Sequence, residues 1–191
     1  RPFLVPEEQN LIDAVAESIG LWLAREETRV DLERTNRALR AVSRCNQAVI
    51  HAEDTDGLLA EICQLLVDDA GYRMAWMGTA QDDEQKSVTP VASAGHEEGY
   101  LDTVDVTWAD GERGQGPTGT AIRRGEPVAC QNVEDEPTYG PWRQAAAERG
   151  YGSSVALPLE VDGDVWGALN IYAPEPNAFH ADEMELLEEL A

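Results

Sequence analysis

Lysine is nearly missing from this chain. Of 14 basic residues only Lys86 is a lysine, against 37 Asp and Glu, and the formal net charge is −23 over 191 residues. So acidic a surface repels phosphate backbones, which argues against direct nucleic-acid binding. The plain meaning is a well-solvated surface; the sharper one is adaptation to a high-salt cytoplasm, where carboxylates hold water and arginine replaces lysine. Cysteine is scarce too. Cys45, Cys63 and Cys130 form an odd set without C-x-x-C, so neither a disulfide framework nor a zinc site is spelled out. Reduced thiols in a cytoplasmic protein are expected. No stretch approaches the roughly 18 uninterrupted apolar residues of a membrane span. The start, Arg1-Pro2-Phe3, opens no signal peptide, and both ends read as cut from a longer protein. The histidines, His51, His96 and His180, stand in unrelated contexts without HExxH or a nucleophile elbow. No nucleophile, base and orienting group assemble, so an enzyme, a metal or a cofactor is not expected.

What is present begins with helix. Pro6, Glu7 and Glu8 suit a first turn, and residues 7–52 read as one helix. Ile12, Val15, Ile19 and Trp22 step by three and four. After a slip around 25–30 the seam resumes at Leu32, Thr35, Leu39, Val42, Asn46 and Val49. Such a stripe either pairs with a second copy, giving a homodimer, or folds back on its own domain. Asp54-Thr55-Asp56 breaks the run and caps a second helix ending near Gly71. Beyond it the period becomes strand-like: 74–80, 88–94, a shorter third strand at 104–108, an apolar run at 127–133, and a hairpin of 153–161 and 165–172 about Asp162-Gly163. Residues 141–149 and 181–191 are helical. With few long crossovers, the class is α+β with an antiparallel sheet. The segments 6–16 and 181–191 also echo each other at an offset of 175, each preceded by a phenylalanine, Phe3 or Phe179. On that basis residues 1–25 read as the closing helix of a preceding domain, 26–53 as a connector helix and 54–191 as a sensor domain.

The run Gly114-Gln-Gly-Pro-Thr-Gly119 has the letters of a dinucleotide fingerprint. It neither follows directly on a buried strand nor opens a full crossover helix, because Gly125 closes the helix after two turns. A tight glycine turn feeding a short helix, with Pro117 near its first position, is the structural meaning. Aromatics gather around this corner: Trp76, Tyr100, Trp108, Tyr139, Trp142 and Tyr151, interleaved with Thr118, Thr120, Ser153 and Ser154. An apolar recess with a few hydroxyls is how a small-molecule pocket looks, although core packing explains many of these rings equally well. Trp166 and Tyr172, on the hairpin, read as structural.

The blocks Gly71–Gly78, Gly111–Ile122, Pro141–Arg143, Gly150–Leu159 and Gly167–Tyr172 together resemble the GAF domain, in the version joined to PAS domains, histidine kinases and diguanylate cyclases. The resemblance covers roughly 45–191. It implies a six-stranded antiparallel sheet with helices on one side and a ligand pocket on the other, and terminal helices that dimerise and bias a covalently linked output domain. There is no Cys-His pair of the kind that carries bilins. The Asn-Lys and Phe-x3-Asp-Glu of cyclic-nucleotide binders is not matched by Asn170-Ile171 and Phe179-x2-Asp182-Glu183. Closely placed redox cysteines of the free methionine sulfoxide reductases are lacking around 135–154. The expectation is a cytoplasmic sensory module for an unidentified small molecule. Its pocket is lined by Trp76, Tyr100, Trp108, Thr118, Trp142, Arg143 and Ser153, and Arg143 is either an anion partner or a surface ion pair. The alternatives are a ligand-free dimerisation domain and, further off, a reductase.

Overall fold

The computed structural model describes residues 5–97 and 99–191, which leaves Phe3 of the internal echo outside the described residues. The first helix, α1, runs from Pro6 to His51 without a break. The chain divides into two units, residues 1–36 and 37–191. In the first unit the seam residues Ile12, Val15, Ile19 and Trp22 are exposed, and Arg29 pairs with Glu26 and Glu33 along the helix.

The second unit holds the remaining elements. Helix α2 (Thr55–Asp68) starts where Asp54 accepts the Gly57 N–H at 2.7 Å. It ends at Gly71, whose φ of +74° suits a residue without a Cβ and whose N–H returns to the Val67 carbonyl. Then come β1 (Met74–Ala80), β2 (Val88–Gly95), the one-turn α3 (Tyr100–Thr103), α4 (Pro117–Arg124), β3 (Val128–Cys130), α5 (Arg143–Glu148), β4 (Ser153–Val161), β5 (Asp164–Ala173) and α6 (Ala181–Glu188). Short 3₁₀ turns at Glu112–Gly114 and Pro137–Trp142 precede α4 and α5.

The sheet has five antiparallel strands in the order β2-β1-β5-β4-β3. The expected six strands fall to five because 104–108 does not become one. It touches the sheet through a single bridge, Ser87 to Thr107, flanked by the Val88–Val106 and Trp108–Lys86 backbone bonds.

Strand alternation divides the core in two. Ala75, Met77, Val155, Leu157, Leu169 and Ile171 point to one face, where Ala41 and Cys45 of α1, Ile62, Cys63 and Leu66 of α2 and Leu187 of α6 cover them. Met74, Trp76, Ala168 and Tyr172 point to the other, beneath Tyr100, Ile122, Tyr139, Trp142 and Ala146. Thus α1 from Arg37 onward packs Ala38, Ala41, Val42, Cys45 and Ala48 inward. Val42 belongs to that buried face and is unavailable to an intermolecular seam, while Leu39 and Val49 stay exposed.

Candidate functional site

The second face of the sheet is roofed by short pieces instead of long helices, and a cavity survives beneath them. Its floor comes from the central strands: Ser154 of β4, Asn170 and Tyr172 of β5. Its roof is Tyr100 of α3, Tyr139 and Trp142 from the turn before α5, and the corner Gly116-Pro117-Thr118-Gly119 that opens α4. Arg113 stands at the solvent edge, where its half-exposed guanidinium pairs with Asp105. The space amounts to about 20 Å³, room for roughly one water molecule.

The corner has the short-turn geometry its glycines suggest. Gly116 is the N-cap of α4, Pro117 takes the first helical position, and Gly125 closes the helix at φ +63°. Glycine is required at 116 for a packing reason. A Cβ there would run into the Trp142 ring, which lies close enough on this turn to close the cavity from above. Gly114 and Gly119 are equally tight, against the Ala109 carbonyl and the Thr107 and Gly114 carbonyls.

Inside, the hydroxyl-bearing residues Tyr100, Thr118, Tyr139, Ser154 and Tyr172 join a mostly apolar lining. Thr118 Oγ1 donates to Asn170 Oδ1 at 2.7 Å, and Trp76 Nε1 donates to the Tyr172 hydroxyl at 3.3 Å. Tyr100 meets Tyr172 and Tyr151 edge-on, with ring centroids 5.9 and 5.4 Å apart, and Tyr139 meets Trp142 likewise at 5.9 Å. Burial is the main reason that the phenols of Tyr100 and Tyr139 ionise well above the ordinary tyrosine range, with neighbouring phenols adding to it; burial also raises Tyr172, against hydrogen bonds with Trp76, Tyr100 and Tyr139 that lower it. They stay protonated at any physiological pH. Ser154 Oγ is buried with no hydrogen-bond partner among the described residues, and it lies near enough to the Tyr139 phenol to counter part of the effect of burial there.

Of the seven residues singled out from the sequence, Tyr100, Thr118 and Trp142 line the cavity. Trp76 lies beneath it as the donor to Tyr172. The others are placed elsewhere. Trp108 ties the β1–β2 turn through Nε1 to the Gln81 carbonyl at 3.0 Å and carries Lys86 over its ring, 4.3 Å from the centroid. Arg143 donates to the Val133 and Glu136 carbonyls at 3.3 and 2.7 Å; it does not line the cavity, and among the described residues it makes no ion pair. Ser153 donates to the Glu175 carbonyl at 2.7 Å, and its neighbour Ser154 takes the cavity position. Tyr172, read as structural, brings its hydroxyl into the cavity, and Tyr139, Asn170 and Arg113 join it.

The thiols are all buried and free. Burial first, and the Glu136 carboxylate second, push Cys130 up to about 11. Among the described residues no cluster of His, Cys, Asp and Glu is arranged to hold a metal, and no helix is long and apolar enough to cross a membrane.

The sequence model of the GAF domain matches residues 52–191. The chain belongs to the GAF domain family. No curated protein sequence matches it. Among solved structures this GAF domain is similar to that of a phosphoenolpyruvate-protein phosphotransferase from Coxiella burnetii, at 19% identity and a TM-score of 0.67, covering 82% of this chain and 89% of the other. It is also similar to the free methionine-R-sulfoxide reductase of Neisseria meningitidis in complex with its substrate (18% identity, TM-score 0.62, 78% and 81% covered). The A. aeolicus nlh2 GAF domain in an inactive state is a third relative in fold (19% identity, TM-score 0.59, 82% and 90% covered). At these identities the likeness shows the fold.

Proposed function

We propose that this GAF domain is a cytoplasmic sensory module. It binds a small molecule between the sheet and the roof from Tyr100 to Trp142, and α1 passes the resulting bias to a covalently attached output domain, in a homodimer joined through α1. The observation that supports this is the cavity itself, a largely apolar recess into which five hydroxyl-bearing side chains are gathered, with one buried hydroxyl, Ser154 Oγ, lacking a partner. Buried polar groups are normally satisfied, and an unsatisfied one facing a cavity offers a bond to a ligand atom or a water. Coupling of about 1–3 kcal/mol between such a site and the helices is enough to shift a two-state output.

A second reading, a ligand-free domain that only dimerises and spaces its neighbours, is favoured by the small size of the cavity. Thermal-shift screening of the full chain against metabolites separates the two. The sensor reading expects saturable stabilisation by at least one compound together with a change in tryptophan fluorescence, since Trp142 covers the site. A flat response across the screen, with Trp142 emission unmoved, leaves the structural reading standing.

The reductase reading draws on solved relatives of that activity. It needs a thiolate nucleophile, and the thiol of this chain on the cavity side, Cys130, is buried and pushed up to about 11. The domain boundaries follow the same proposal. Residues 1–25 close a preceding domain, and Ile12, exposed here, corresponds at the offset of 175 to the fully buried Leu187.

A further inference from the structure

The lining of the cavity runs against the charge of the chain. Acids outnumber bases 37 to 14 overall, yet no carboxylate lines the cavity and its one charged residue is Arg113. The group that lacks a partner there can donate. Ser154 Oγ makes no hydrogen bond. At the start of α4 the N-cap Gly116 has no side chain to cap the first-turn N–H groups, and Thr118 and Gly119 of that turn line the cavity. A helix start also carries a partial positive charge of roughly half an electron. An unpartnered hydroxyl, an uncapped helix start and an arginine at the edge have one thing in common: each can serve an acceptor bearing negative charge.

Building on the sensor reading, we propose that the cavity binds a small organic carboxylate, its oxygens received by the Ser154 hydroxyl and the first-turn N–H groups of α4, with Arg113 at the mouth. A neutral amide of the same shape brings its own N–H donors into a lining already in excess of donors, and a cation meets no counter-charge. The closed cavity is smaller than any such ligand. Entry therefore lifts the Trp142 turn off Gly116, and the ordered or displaced turn is what the rest of the domain senses. Arg113 is available because its exposed pair with Asp105 is worth little and exchanges readily for a better-placed anion.

Acetate and propionate, each against acetamide and propionamide at equal ionic strength, test the idea on the full chain, with melting temperature and tryptophan emission as readouts. The acids are expected to bind saturably and at least about tenfold more tightly than the amides. Ser154→Ala removes a buried hydroxyl that has no partner, so it should hold or raise the melting temperature of the free protein while weakening acid binding about tenfold. Arg113→Gln, at an exposed position with no burden on folding, should weaken acids and leave amides unchanged. Amides binding as well as acids would overturn the carboxylate assignment and keep the sensor reading. Chloride titrated alone and reproducing the effect would reduce the site to a simple halide site. No saturable binding by acids, amides or a panel of neutral metabolites, with both variants silent, removes the carboxylate and the sensor together.

Discussion

Gly116 and Trp142 meet where a single methyl group has no room. Gly116→Ala forces the indole to move, at a cost of about 1–3 kcal/mol, and because the indole is the roof, the same substitution opens the cavity. The expected outcome is a lower melting temperature with a red-shifted, more quenchable tryptophan emission; unchanged emission would place the contact outside the gating of the site. The thiols argue at the same scale. Burial pushes Cys63 up to about 12, and burial with the charges of Asp69 and Glu61 brings Cys45 to about 11. Unfolded thiols ionise near 9.0 while the folded ones keep their protons, so the unfolded state binds fewer protons as pH rises. Stability is whole below pH 9.0 and is lost progressively toward 11 and 12. Urea midpoints taken from about pH 8 to about pH 11 should fall, and Cys63→Ala should flatten the decline. The identities of the site residues were partly legible. Glycine, proline and hydroxyls on a short turn marked Thr118, and rings near it marked Tyr100 and Trp142. What no pattern distinguishes is which of two adjacent serines faces the cavity, since a one-residue shift in strand register exchanges faces. Tyr172 looked structural because a hairpin position says nothing about where the far end of a ring reaches.

Helix α1 carries two apolar faces from Arg37 onward, and a heptad alone mixes them. Ala38, Ala41, Val42, Cys45 and Ala48 pack on the domain, and Leu39 and Val49 remain exposed at 52% and 54%. Small residues inward and large ones outward divide the labour: the inward face lets the helix approach the sheet, and the outward face is the one the proposed dimer would use. Leu39→Glu with Val49→Glu should therefore turn a dimer into a monomer in light scattering while the melting temperature stays within about a degree or two per exposed site. A dimer that survives both charges would place the joining surface elsewhere. The strands were legible wherever both strand partners were present in the sequence, as in the hairpin of β4 and β5. The segment 104–108 alternates convincingly, yet its Thr107 and Trp108 side chains bond to Gln85, Lys86 and Gln81 carbonyls. Side-chain bonds fasten what would otherwise need a ladder, and alternation cannot reveal that.

At the scale of the molecule the net charge of −23 outweighs any single contact. Self-repulsion of that size destabilises the folded state at low ionic strength and is screened within about 10 Å at 0.1 M salt and about 3 Å at 1 M. Melting temperature should climb from low to molar KCl, and greatest stability in the absence of salt would count against the halophilic reading. The two-faced sheet has a further consequence. Ser154 and Tyr172, on the cavity side, are each bonded neighbours in sequence to Val155 and Ile171, on the helix side. On the proposed sensor reading, specificity and transmission are thus written on alternate letters of one ribbon. A lineage or a designer is free to exchange every letter of the first kind, retuning what is detected, without rewriting any letter of the second.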